Sequence, residues 1–264
     1  MGKFSGILLC SDWDGTIHGA MGVLPKDIEA IRYFQANGGL FTICSGRQPA
    51  HLSALFTDFE PNTNIIALNG AIIADHRSGE IAYENYLDER APKILEEFLA
   101  VGIPQIAVVV HYKGEVTPDR VIIENISDFR EKLGGKRLYK MVIMTKDQET
   151  MRDAIRAIDE IDTRGYSVVR SWDTGLEIIK DENAKGAAVK RLARLTGAHT
   201  LVTVGDYEND IDMLQAADIS YAVYNAPDNV KCHAKHHLPP SSTNGPINAV
   251  IEDLSKRVHY SAKK

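Results

Sequence analysis

The stretch Ile7-Leu8-Leu9-Cys10-Ser11-Asp12-Trp13-Asp14-Gly15-Thr16 joins an apolar run to two carboxylates one residue apart. An apolar run with no polar residue inside it suits a strand buried on both faces, as in a parallel sheet. Open α/β sheets bind their ligands just beyond the carboxyl ends of their strands. Asp12 and Asp14 stand at such an end. Gly15 tolerates backbone conformations that other residues resist, so the chain can turn sharply there. Alone, the stretch reads equally well as a strand closed by an Asp-Gly turn.

Working outward, the same pattern returns. Pro25 to Asn37 reads as a helix: Pro suits the first turn, Ile28, Ile31 and Phe34 recur at helical spacing, and Gly38-Gly39 supplies a stop. Leu40 to Cys44 is a second buried strand, ending in Ser45-Gly46-Arg47 before Pro49 opens another helix. A hydroxyl, a permissive glycine and free amides ahead of a helix can cradle phosphate. A serine there also serves as an ordinary N-cap. Ile65 to Leu68 is a third strand, followed by Asn69-Gly70-Ala71, which reads equally as a tight turn. Ala71–Ala74 and Glu80–Tyr83 flank His76-Arg77-Ser78-Gly79 and predict a hairpin.

From about Leu87 to Ile179 helical and strand-like segments alternate in a new rhythm, enough chain to bury a small core of its own. Asn183-Ala184-Lys185-Gly186 then opens a helix. A cation opposes the dipole at a helix start, which singles out Lys185 from ordinary surface lysines. Leu201 to Val204 is a further core strand, ending in Gly205-Asp206-Tyr207-Glu208-Asn209-Asp210 ahead of another helix. No Walker A pattern is present, at Gly134-Gly135-Lys136 or elsewhere.

These junctions, in this order, resemble the four motifs of the haloacid dehalogenase superfamily. Asp12-x-Asp14-Gly15-Thr16 matches the first, Ser45 the second, Lys185 the third and Gly205-Asp206-x-x-Asn209-Asp210 the fourth. Asn69-Gly70 and the position of the insert are similar to the Cof-type branch, subclass IIB. The resemblance implies a doubly wound, Rossmann-like α/β parallel-sheet core at 1–86 and 180–264, with an inserted α/β cap domain at 87–179. It implies a phosphoric monoester hydrolase that requires Mg2+ and forms an aspartyl phosphate. Asp12 would be the nucleophile and Asp14 the general acid/base. Asp12, Asp206 and the backbone carbonyl of Asp14 would hold the metal. Ser45, Gly46, Lys185 and Asn209 would bind phosphate, and Asp210 would orient Lys185 or the metal's waters. Small phosphorylated metabolites, sugar phosphates above all, are the expected substrates. A phosphomutase shares the motifs, and a receiver-like phosphoacceptor or phosphate-binding protein is a more distant alternative.

Composition fits this reading. Hydrophobic residues make up 44% and charged residues 25% of the 264, as in globular domains, and a net charge of −6 without basic clusters offers no footprint for nucleic acid or an anionic membrane. No apolar stretch approaches the ~20 residues that span a bilayer, and the N-terminus lacks a signal-peptide pattern. With Cys10, Cys44 and Cys232 widely spaced and odd in number, buried thiols are expected rather than a disulfide framework. A cytoplasmic protein is expected, of open oligomeric state. Cys232, His233, His236 and His237 form a tempting cluster, but lack the paired spacing of a structural zinc site, so a surface segment is expected there. His18 either lines the mouth of the site or occupies a turn.

Overall fold

The computed structural model describes residues 2–115, 117–239 and 244–261. It divides into two compact units, residues 1–83 with 185–264, and residues 84–184.

The first unit opens with strand β1 (Ile7–Ser11), whose residues are all buried. A small hairpin, β2 (His18–Gly19) and β3 (Gly22–Val23), leads to helix α1 (Pro25–Ala36). Strand β4 (Leu40–Ile43) and helix α2 (Pro49–Ser53) follow, then β5 (Ile65–Ala67), β6 (Ile72–Ala74) and β7 (Ile81–Glu84). The last three make a sheet in the order β5-β6-β7, with β5 antiparallel to β6, and the neighbouring β6 and β7 are the two strands of the expected hairpin. Prolines open α1 and α2, where the missing N–H costs nothing.

The second unit carries α3 (Ala91–Ala100), β8 (Ile106–Lys113), β9 (Pro118–Ile123), α4 (Ile126–Leu133), β10 (Leu138–Thr145), α5 (Gln148–Asp159), β11 (Tyr166–Trp172) and β12 (Gly175–Lys180). Its five-stranded antiparallel sheet runs β11-β12-β10-β8-β9. Phe98, Val108, Val110, Met141, Ile143, Met151 and Ile178 build a core separate from that of the first unit. The unit extends a few residues beyond 87–179 at each end. Glu84 accepts from Lys113 Nζ at 2.7 Å and from the Tyr139 hydroxyl, and Asn183 Nδ2 donates to the Asn85 carbonyl at 3.4 Å.

The chain returns to the first unit through α6 (Lys185–Thr196), β13 (Thr200–Gly205), α7 (Ile211–Ala216), β14 (Ile219–Ala222), α8 (Asp228–Lys231), β15 (His236–His237) and α9 (Pro246–Ser261). The parallel sheet runs β15-β14-β13-β1-β4, and a bridge from Cys44 to Ile66 carries it on to β5. Successive strands leave β1 on one side as β4 and on the other as β13, so strand order reverses at β1. That reversal is the switch point at which α/β sheets open a binding crevice. Helices cover both faces. Leu8 and Cys10 of β1 pack with Val189 and Leu192 of α6 and Met213 of α7, while α1, with α9 against it, lies over β4. Leu8 is fully buried, so truncating it to alanine would cost about 2–5 kcal/mol. Cys10 and Cys44 are buried free thiols and Cys232 is an exposed one. No described helix is long and apolar enough to cross a membrane.

Candidate active site

Asp12 follows β1 directly, and its N–H extends the sheet ladder to the Val204 carbonyl of β13 at 2.9 Å. Asp206 follows β13 in the same way. Parallel register therefore sets the two carboxylates side by side at the strand ends, although 194 residues separate them in sequence. Gly15 makes this approach possible. Its φ is +81°, and a Cβ there would lie 2.3 Å from Asp206 Oδ2. Thr16 Oγ1 donates to Asp206 Oδ1 at 2.7 Å and fixes that carboxylate from the first loop.

Lys185, the first residue of α6, lies between two acids. Its Nζ is 2.6 Å from Asp12 Oδ1 and 2.6 Å from Asp210 Oδ1, and the residue is 1% exposed. Burial alone would drive the lysine toward neutrality, but the Asp12 and Asp210 carboxylates outweigh it and hold the ammonium well above its ordinary range. Asp210 Oδ2 accepts from the Asp206 N–H at 3.0 Å and the Tyr207 N–H at 3.3 Å. Both oxygens of Asp210 are thus engaged, one on the lysine and one on the backbone of its own loop. Gly205 admits it: a Cβ there would stand 2.6 Å from that of Asp210.

Asp12, Asp206 and Asp210 offer oxygen atoms that lie within 4.8 Å of one another. Burial, then the neighbouring Asp210, pushes Asp206 up to about 7 and raises Asp12 as well, against the pull of Lys185. Crowded, desolvated carboxylates of this kind suit a hard divalent cation with oxygen ligands. Among the described residues this is the one such group. His233, His236 and His237 are engaged separately, with Gln215, Arg257 and the Lys231 carbonyl.

Asp14 has a different environment. Its side chain is 55% exposed and is gripped by Arg47, whose Nε and Nη2 each donate to it at 2.7 Å. Arg47 belongs to the loop after β4 that carries Ser45 and Gly46. This loop is fastened to the segment after β5: Asn69 N donates to the Ser45 carbonyl and Leu68 N to the Arg47 carbonyl, each at 2.9 Å. Leu68 and Asn69 have positive φ, +50° and +60°, so the Asn69-Gly70 stretch is a backbone clamp on the second motif. Asn209 sits in the short 3-10 turn Glu208–Asp210, beside Asp206 in the chain. His18 occupies the β2–β3 hairpin and stacks on Trp13, ring centroids 5.4 Å apart. Its backbone carbonyl accepts from the Gly15 N–H at 3.0 Å.

Asp12, Asp206, Asp210 and Lys185 therefore meet directly, with Asp14 beside them on the same loop as Asp12. Sequence reasoning passed over Arg47 and Thr16 as working residues. Arg47 carried a signal, a fork-shaped donor directly after Ser45-Gly46, but its partner cannot be read from the chain.

A doubly wound α/β core with an acid–lysine cluster at its switch point defines a class of hydrolase. The chain belongs to the haloacid dehalogenase-like hydrolases, a family that matches residues 9–250. Among its relatives is the 5-amino-6-(5-phospho-D-ribitylamino)uracil phosphatase YwtE of Bacillus subtilis, 24% identical over 285 residues, covering 92% of this chain and 96% of that one. The fold matches the subclass IIB sugar phosphatase BT4131, with a TM-score of 0.74 at 19% identity over 94% of this chain and 99% of that one. A haloacid dehalogenase-like hydrolase from B. subtilis gives 0.74 at 20% identity over 93% and 98%. The superfamily, its Cof-type branch and the fold agree with the expectation from the four motifs. Enzymes of this superfamily generally use Mg2+.

Proposed function

We propose that this protein is a Mg2+-dependent phosphatase of small phosphate monoesters, sugar phosphates or related metabolites, acting through an aspartyl phosphate on Asp12. The observation that carries this reading is the buried Lys185 ammonium held between Asp12 and Asp210, beside Asp206. Such a centre combines a carboxylate nucleophile with fixed positive charge for a phosphoryl group.

An Asp12 oxygen attacks phosphorus while the bond from phosphorus to the ester oxygen breaks. Asp14, once Arg47 releases one of its two oxygens to take up a proton, gives that proton to the departing oxygen, and Arg47 steadies it through the other. Asp14 then takes a proton from water, the resulting hydroxide attacks phosphorus, and the Asp12–phosphorus bond breaks to release inorganic phosphate. Lys185 offsets charge on Asp12 and on the phosphoryl oxygens throughout. Ser45, the Gly46 amide and Asn209 orient those oxygens. Asp210 orients Lys185, which explains why both of its oxygens are already committed. Arg47 holds the Asp14 carboxylate in one orientation. The Asp12 and Asp206 carboxylates and the Asp14 carbonyl would hold Mg2+, which supplies charge neutralisation at the transferring group. The insert, roughly 87–179, selects the leaving group, since a cap can add contacts that a shared core lacks. The names of YwtE and BT4131 support small phosphorylated substrates.

The test is a phosphate-release screen over phosphorylated sugars, nucleotides and cofactors, with Mg2+ and after chelation. Turnover that vanishes on chelation and returns with Mg2+ supports the proposal. Full activity in metal-depleted protein would end it, and conversion to an isomeric phosphate without release would make the enzyme a mutase. Exchanging the insert for that of a relative should change the substrate ranking and leave the Mg2+ requirement intact.

A further inference from the structure

The ammonium of Lys185 works only if the start of α6 is held in place, and the local sequence does little to hold it. Ala184, the residue before the helix, has extended backbone (φ −57°, ψ 146°), and its methyl group cannot accept a hydrogen bond. Serine, threonine, aspartate or asparagine would ordinarily do so. The first helical residue is itself a cation, at the end where the helix dipole disfavours one.

The missing acceptor comes from another helix. Asp212, in the first turn of α7, accepts from the Gly186 N–H through Oδ2 at 2.7 Å. The approach requires glycine, because a Cβ at Gly186 would lie 2.5 Å from the Asp212 carbonyl oxygen and 3.1 Å from Oδ2. Gly186 directly follows Lys185, and Asp212 is two residues beyond Asp210, which binds the same lysine. The short stretch Asp210–Asp212, where the 3-10 turn runs into α7, therefore fixes both ends of the lysine, its charged tip through Asp210 and its backbone through Asp212.

We propose that Asp212 is a positioning residue for Lys185: by capping α6 at Gly186 it sets where the ammonium stands between Asp12 and Asp210. The proposal rests on the phosphatase reading for the role of Lys185 in turnover. The hydrogen bond of Asp212 goes to the Gly186 backbone, so its effect on turnover passes through the lysine.

The test compares the full chain with Asp212→Ala and Asp212→Asn, using p-nitrophenyl phosphate and Mg2+. Asp212→Ala is expected to lower kcat about tenfold with KM within about twofold, because the displaced charge acts mainly in the transition state. Asp212→Asn keeps an oxygen for the Gly186 N–H and should recover kcat to within about threefold. An amide nitrogen–proton correlation spectrum follows the bond itself: the Gly186 resonance should move in Asp212→Ala and stay near its place in Asp212→Asn. Unchanged kcat in folded Asp212→Ala would overturn the proposal. So would an equal loss in both variants while the asparagine retains the Gly186 resonance. If the alanine variant does not fold, Asp212→Asn decides alone: near-normal kcat with the resonance retained supports the proposal, and a larger loss with it retained overturns it. If the wild-type chain releases phosphate from no ester, the phosphatase reading fails. The Lys185 side-chain nitrogen resonance then tests the placement directly, since it should shift in Asp212→Ala, and an unmoved signal would overturn it.

Discussion

The ammonium of Lys185 lies 2.6 Å from Asp12 Oδ1, with the two side chains only 1% and 8% exposed. Asp210 makes the second contact, so a single cation offsets two acids in a desolvated crevice. Replacing Lys185 with methionine removes that cation and leaves its partners uncompensated. Breaking a buried pair this way costs about 3–5 kcal/mol. Lys185→Met should therefore lose stability on that scale in metal-free protein and abolish turnover. Added Mg2+ should restore part of the stability, since a divalent cation can offset the same carboxylates. Urea denaturation with and without Mg2+ measures both effects. A variant as stable as wild type without metal would contradict this charge balance.

The two aspartates of the first loop should fail differently. Asp12→Asn lacks the anionic nucleophile, so no phosphoenzyme should form. Asp14→Asn keeps the backbone carbonyl but cannot exchange protons as a carboxyl group does. It should bind Mg2+ and substrate while turning over ~10²–10⁴-fold more slowly. Rapid-quench trapping and mass spectrometry of the peptide bearing Asp12 separate the two cases. A phosphoryl group mapped to another residue would reassign the reaction centre.

Arg47 and Asp14 form a bidentate pair at 2.7 Å, yet their side chains are 40% and 55% exposed. Solvent screening limits the worth of such a pair to about 1 kcal/mol or less. Arg47→Ala should accordingly leave the melting temperature nearly unchanged. Its effect belongs to proton transfer. The kcat for alkyl phosphates should fall about tenfold more than for p-nitrophenyl phosphate, whose leaving group needs little protonation. Lysine at this position should restore little, because a point charge cannot reproduce the fork. Equal losses on both substrate types would remove Arg47 from the acid–base step.

Asp27 sets a pH dependence away from the site. This fully buried carboxylate of α1 accepts from the Asn248 N–H of α9 at 2.8 Å through Oδ1, and its Oδ2 has no hydrogen-bond partner among the described residues. Burial pushes it up to about 6 from an ordinary 3.8, against the hydrogen bonds that favour its charge. Between those values the folded chain holds a proton that the unfolded chain has released. Stability from this group is therefore present below the lower value and is lost as pH rises through the upper one. Asp27→Asn removes the titration. Its stability relative to wild type should improve by about 2 kcal/mol between about pH 4.5 and about pH 7.5. Paired denaturation curves at the two pH values measure the change, and parallel behaviour would show that Asp27 titrates normally.

The positions of Asp12, Asp206 and Lys185 were legible in the sequence for a local reason. Each follows or opens a regular element, marked by an apolar run, a glycine or a helical repeat, and a parallel sheet gathers such ends at one edge. The helices and strands of the insert were legible as an alternating pattern, but not the antiparallel order in which its strands pair. Its ends were not, because they depend on Glu84 meeting Lys113 and Tyr139, and Asn183 meeting Asn85.

Tertiary structure decided the pairings. Arg47 and Asp14 are 33 residues apart, Gly186 and Asp212 are 26, and Asp27 and Asn248 are 221. No periodicity links such residues. Their contacts arise from which helix packs on which strand, how closely a glycine lets two backbones approach, and which polar groups are desolvated together. Chain order and hydrophobic pattern thus determined where the acids and the lysine come to stand. Packing determined which of them are buried, which side chains hold them, and how strongly each feels its neighbours' charge.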